Sequence, residues 1–252
     1  MAIAHVQTIK AIGNAGTSTL VTATFTSTSG NLLVVSCQWS GGETFTNIQD
    51  SKTNTWHQVG SELASSGTNK ERTYYAYNIT GGTLHTVQFT TTNVTSTFPL
   101  IFVSEFSGLA TASDPFDQNA GTTGSSTTPD SGTTGTRAQA NELLYGAVAN
   151  GSSGTVTYTA GSTPSTWTIP TNGSEGNGAS NATGAVEYLV VSSAGTDSAP
   201  MTISPTEAWT ARVATFKDIT AGGGGGSGDV PSRQFRMSVK KRRPMRSERR
   251  IS

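Results

Sequence analysis

The residues best suited to chemistry gather at one end of the chain. Between Asp229 and Ser252 stand Arg233, Arg236, Lys240, Lys241, Arg242, Arg243, Arg246, Arg249 and Arg250, nine of the 16 Lys and Arg residues. Only Asp229 and Glu248 oppose them, so this stretch is net +7, while residues 1–221 hold 7 cations and 14 acids, a net of −7. Guanidinium groups grip carboxylates and phosphates through paired hydrogen bonds. A segment with so little apolar content cannot bury a core alone and gains order against a partner. Phe235, Met237 and Val239 add alternate apolar anchors. The run Gly222-Gly-Gly-Gly-Gly-Ser-Gly228 before it reads as a flexible linker. The chemistry expected is attachment to an acidic protein surface, on a shell or on a neighbouring copy of this chain. Nucleic acid is a weaker match, because an acidic body repels the same phosphates.

Signals for catalysis are sparse. His5, His57 and His85 form no His-x-x-x-His pair, and Cys37 stands alone in an apolar run, where an inert core thiol is expected. Neither a Gly-x-Ser-x-Gly elbow nor a phosphate-cradling Gly-x-x-x-x-Gly-Lys loop occurs. Glu105 lies among Ile101, Phe102, Val103 and Phe106, but a glycosidase acid needs a second carboxylate across a cleft. Asp114, Asp117 and Asn119 offer three oxygens in a short loop, a pattern that suits calcium and equally suits a plain turn. The expectation is no catalytic residue, no metal and no cofactor. Among the aromatics, Tyr75 and Tyr77 share one strand face and Tyr74 takes the other, so some of these rings are core. Trp39, Trp56, Tyr74 and Trp167 remain as a candidate platform for stacking on sugars.

These groups need elements to position them. Only 13% of residues are charged, Thr, Ser and Gly dominate, and no window before residue 222 shows helical periodicity. The first ten residues read as a strand. Further strand-like segments fall at 19–26, 31–40, 45–51, 55–60, 71–79, 84–92 and 98–107. A second set follows at 126–136, 141–150, 155–160, 166–170, 184–193, 198–204 and 209–218. Gly41-Gly42, Gly81-Gly82, Asn150-Gly151 and Asn172-Gly173 punctuate them.

The two sets look like copies. At an offset of 110, Asn31 meets Asn141, Leu33 meets Leu143, Val103 meets Val213 and Phe106 meets Phe216. One residue further out, Trp56 meets Trp167 and Tyr77 meets Tyr188. The expected organisation is a first β half over 1–112 and a related second half over 113–221, then the linker 222–228 and the basic arm 229–252. Whether the halves form one double-sheet body or two sandwiches is open at this level. So is whether residues 121–135 are linker or edge strand.

The runs Gly30-Asn-Leu-Leu-Val-Val, Val103-Ser-Glu-Phe-Ser-Gly108, Asn141-Glu-Leu-Leu-Tyr and Ala214-Thr-Phe-Lys217 carry a resemblance. The chain resembles a two-part all-β module of tailed-phage virion proteins and bacterial surface proteins, over roughly residues 3 to 219. The resemblance implies an all-β sandwich or jelly-roll-like body with a flexible C-terminal tail, and no catalytic residue. The first ten residues lack the charged and apolar regions of a secretory signal, which turns the expectation towards a virion setting. No run of about 18 apolar residues suggests a membrane span. The function expected is therefore structural: a capsid decoration or accessory tail protein that contacts other virion proteins and copies of itself. The alternative is a carbohydrate-binding adhesin that meets cell-surface glycans.

Overall fold

β-Branched and aromatic residues in short runs, broken by Gly and Asn, dictate many strands before residue 222. A computed structural model describes residues 2–66, 68–92, 98–151, 154–178 and 182–219. The linker and basic arm lie outside the described residues, as do the nine cations assigned to attachment. The strands of the first half are β1 (Ala4–Ile12), β2 (Thr19–Val21), β3 (Phe25–Ser27), β4 (Leu32–Ser40) and β5 (Phe45–Asp50). They continue with β6 (His57–Ala64), β7 (Asn69–Ala76), β8 (Gly82–His85), β9 (Val87–Thr91) and β10 (Leu100–Ser107). The second half supplies β11 (Phe116–Ser126), β12 (Asn141–Asn150), β13 (Thr157–Thr159) and β14 (Ser174–Glu175). It ends with β15 (Thr183–Ser192), β16 (Thr202–Ser204) and β17 (Glu207–Lys217).

The protein is all-β, and its described ladders are antiparallel. Two five-stranded sheets form its centre, one in the order β1-β10-β4-β7-β6 and the other β11-β17-β12-β15-β14. They face each other across a shared core of Leu32, Val34, Tyr75, Phe102, Phe106, Leu143, Tyr145, Val186 and Phe216. Behind the first sheet, β2-β9-β5 and β3-β8 close a second core around Trp39, Phe45 and Phe89. Behind the second sheet, β13-β16 and the segments near Trp167 and Ala199 close two smaller cores. Antiparallel sheets usually keep one wet face and alternate apolar with polar residues. These central sheets are covered on both faces, which is why β4, β10 and β12 are buried along almost their whole length. The halves therefore build one compact unit, Met1–Gly222.

Matching strand orders support the duplication, and the ladders correct its register. Phe106 lies opposite Leu32, and Phe216 lies opposite Leu143. Leu143 thus occupies the place of Leu32, not of Leu33, and Asn141 does not take the place of Asn31. Leu33 points into the core behind the first sheet, whereas Leu143 points into the shared core. Likewise Tyr75 lies opposite His57, and Tyr188 lies opposite Thr168, so Tyr188 matches Tyr75 instead of Tyr77. Val103 with Val213, Phe106 with Phe216 and Trp56 with Trp167 stand as aligned from sequence. The slip has a simple cause: double runs such as Leu-Leu and Val-Val look the same when moved by one residue, although the move turns every side chain to the other face.

The shared core repeats itself in detail. His5 stacks on Tyr188 at 4.9 Å, and both meet Phe106 edge-on at 5.4 and 5.5 Å. At the matching place, Phe116 stacks on Tyr75 at 5.6 Å, and both meet Phe216 edge-on at 6.0 and 5.3 Å. Each trio spans the two sheets, an arrangement expected when two copies meet through the same face.

Three segments differ from expectation. The run 19–26 divides into β2 and β3, and 166–170 contributes only the single bridge Thr168–Tyr188. The strand expected at 126–136 lies at 116–126, as an edge strand on β17. Residues 127–137 run beside 197–203, joined by bonds such as Thr134 N to the Asp197 carbonyl at 2.9 Å. Thr, Ser and Gly fill this whole region, so it has no apolar alternation to mark which part pairs with β17.

Candidate functional site

Among the described residues, two polar arrangements stand out beside the buried Arg137–Asp197 pair, one in the shared core and one along a groove. In the shared core, the Arg212 guanidinium on β17 donates to Glu71 on β7 at 2.9 Å, with side chains only 2% and 1% exposed. Arg212 also donates to the Ser61 carbonyl on β6. The other Glu71 oxygen accepts from the Thr73 hydroxyl and, at 3.5 Å, from Ser36. Gly60 makes room for this. Its φ is +59°, and a Cβ there would sit 2.5 Å from the guanidinium and 2.7 Å from Asn119 Oδ1. The pair joins residues 141 apart in sequence, and no local pattern announces it.

The groove lies beside β5, the free edge of the small outer sheet. About 610 Å³ in volume, it is bounded by β5, by Thr53, Asn54 and Trp56, and by Arg72 and Tyr74 of β7. The half-buried Trp56 donates its indole N–H to Asp50 Oδ2 at 3.0 Å. Asp50 Oδ1 accepts from Lys52 N at 2.7 Å and Asn54 N at 3.2 Å, and it faces His85 Nε2 at 3.6 Å. His85 Nδ1 meets the Ser27 hydroxyl at 2.6 Å. These contacts hold the Asp50 carboxyl below the usual carboxylate range against an opposing push from burial. Arg72 donates to Glu62 at 3.0 Å and to the Tyr74 hydroxyl at 3.4 Å, and it covers the Phe45 ring at 4.8 Å.

Ser27, His85 and Asp50 have the residue types of a nucleophilic triad, which sequence reading missed because they are 58 and 35 residues apart. Their burial argues for a support instead. Ser27 is 4% exposed and His85 is 0% exposed, and neither lines the groove. A nucleophile has to reach its substrate.

Other carboxylates are equally enclosed. Glu105 accepts from Thr28 N at 2.8 Å, Asn31 at 2.6 Å and Gln7 at 2.6 Å, so it clamps β1 and the turn after β3 onto β10. Burial pushes Glu142 up to about 7, with Asp117 adding to the shift, and pushes Glu187 up to about 8. Glu187 accepts one bond, from Gly161 N at 2.8 Å. The buried Cys37 thiol is raised well above its usual range by burial. Asp114 accepts from the Tyr75 hydroxyl at 2.8 Å, Asp117 accepts from Ala138 N at 2.6 Å, and Asn119 faces Gly60. The three are thus committed to separate partners, and among the described residues no three His, Cys, Asp or Glu side chains are grouped to hold a metal.

The candidate sugar platform breaks apart. Trp39 and Trp167 are 1% and 2% exposed and belong to cores, their N–H groups bound to the carbonyls of Glu43 and Thr163. Tyr74, though only 7% exposed, lines the groove. Only Trp56 presents a ring to solvent. Sequence cannot separate Trp56 from its equivalent Trp167, because the difference is made by the segment that covers Trp167. No family model, curated protein or solved structure matches the chain.

Proposed function

We propose that this chain is a non-enzymatic structural protein of a phage virion, a capsid decoration or accessory tail protein. In this reading the β body is displayed and the basic arm docks on an acidic surface of another virion protein. The observation that carries it is the separation of charge, with nine cations gathered beyond a glycine run. The body supports it from the other side, because the described strands pair among themselves within one compact unit.

Burial also bears on the choice of partner. Seven of the 14 acids of the body are buried: Glu43, Glu71, Glu105, Glu142, Glu187, Asp197 and Asp218. Arg137 and Arg212 are the buried cations. The Asp50 side chain is likewise 0% exposed, so the body's surface is left with six acids against five cations, a net of only −1. Such a surface offers little to a +7 arm, so a different, more acidic protein is the better match than a second copy. Among the described residues no helix is long and apolar enough to cross a membrane.

Isolated exposed ion pairs contribute about 0–1 kcal/mol each, so attachment rests on many acting together. The test replaces Lys240, Lys241, Arg242 and Arg243 with Glu, sediments particles assembled with the variant and counts bound copies. Release at physiological salt, with the body still folded, is expected. Full occupancy would move attachment to the β body, and tight binding of the arm to duplex DNA alone would place the protein against the genome instead.

A further inference from the structure

We propose that the groove beside β5 is a binding site for neutral saccharides, with the Trp56 indole as its stacking face. The inference stands apart from attachment, because it uses no residue of the arm.

The first support is the contrast between equivalent positions. Trp56 and Trp167 take matching places, Trp56 just before β6 and Trp167 just before the Thr168–Tyr188 bridge, each one residue before the partner of Tyr75 or Tyr188. Trp167 is covered and fully part of a core, whereas Trp56 only packs against its core and lines a groove. The uncovered ring is nevertheless fixed. Its N–H is tied to Asp50, whose side chain is 0% exposed and is held by two backbone amides and by His85. A ring that cannot swing loses little entropy when a ligand settles on it, and an indole face suits the apolar C–H face of a pyranose.

The second support is the rim. Asn47 and Gln49 are exposed and one pleat apart, so both amides lie on the same side of β5. Asn47 Nδ2 donates to Gln49 Oε1 at 3.2 Å, which leaves the Asn47 oxygen as an acceptor and the Gln49 NH2 as a donor. A sugar's vicinal hydroxyls each donate and accept, and such a pair can serve both roles. The volume of about 610 Å³ falls within the usual range for small-ligand clefts, about 300–1,000 Å³.

The third support selects neutral over acidic sugars. Arg72 is the cation in the groove, and Glu62 already neutralises it at 3.0 Å while Tyr74 and Phe45 occupy its other sides. No uncommitted cation among the lining residues awaits a carboxylate.

The experiment exposes the full chain to an array of neutral hexose and N-acetylhexosamine oligosaccharides and to their sialylated counterparts. Titration with the best neutral glycan follows, with the Trp56 indole proton observed by NMR. Binding of neutral glycans is expected, with a shift of that proton. Trp56→Ala and Gln49→Ala should each weaken binding by about tenfold, as loss of a stacking face or of charge-free hydrogen bonds would. Gln49 is exposed, so its variant should keep the parent melting temperature and separates lost binding from lost folding. Absence of neutral glycan binding would overturn the proposal, and so would binding of sialylated glycans alone. An extended peptide that pairs with the free edge of β5 and is insensitive to both variants would also overturn it.

Discussion

Removing the Arg212 side chain should cost more than removing both members of its ion pair. In Arg212→Met the Glu71 carboxylate keeps its hydroxyl donors, Thr73 and Ser36, but loses its counter-charge in a site with 1% exposure. Breaking one side of a buried pair costs about 3–5 kcal/mol. Glu71→Met should cost a similar amount, because it leaves the buried guanidinium, which also donates to the Ser61 carbonyl, without its counter-charge. The double variant strands no charge. It loses the two modest hydroxyl bonds and the Arg212 bond to the Ser61 carbonyl, about 1 kcal/mol each, and gains apolar packing between β7 and β17. Its net change should therefore lie within about 2 kcal/mol of the parent, and a gain is possible by the same logic. Urea unfolding followed by tryptophan fluorescence reads these values. With a slope of about 2–3 kcal/mol per molar, each single variant should lower the midpoint by roughly 1–2 M while the double stays near the parent. Single costs below about 1 kcal/mol, or a double equal to the sum of the singles, would refute this account of the shared core.

Three further outcomes are expected. Phe106→Ala and Phe216→Ala, both in the shared core with 0% exposure, should each cost about 3–5 kcal/mol and lower one calorimetric transition; two separate transitions would show that the halves melt independently. Ending the chain after Ala221 should leave the melting temperature nearly unchanged, because the compact unit runs Met1–Gly222; a product that only aggregates would show that the arm completes the fold. Glu142 and Glu187, raised by burial to about 7 and 8, favour the folded state while protonated, so stability is greatest below their unfolded range and falls as pH rises. Between pH 6.5 and 8.5 the urea midpoint should decline, with Glu187→Gln flattening much of the slope; a flat parent profile would count against the burial of these carboxyls. His5, lowered by burial, acts in the opposite sense and below that window.

What the sequence determined by itself is what depends on near neighbours. Alternation and β-branched runs marked the all-β class and most strand positions, and Phe106 with Phe216 and Trp56 with Trp167 were legible as a repeat. The apolar run around Cys37 also announced a buried strand. Tertiary structure decided the rest, because it depends on partners that local pattern does not name. Leu33 and Leu143 were paired one residue out of register, since a Leu-Leu run reads alike on either face. β11 could not be located within a Thr, Ser and Gly stretch that has no apolar alternation. Ser27, His85 and Asp50 meet only when β3, β5 and β8 assemble, and Glu71 meets Arg212 only when the two halves close. Trp56 and Trp167 take equivalent places, and only the presence or absence of covering chain makes one a groove wall and the other a core residue. A strand's residues set which side chains it can present; burial and contact are set by whatever packs on each face, and that is fixed by chain brought from far away in sequence.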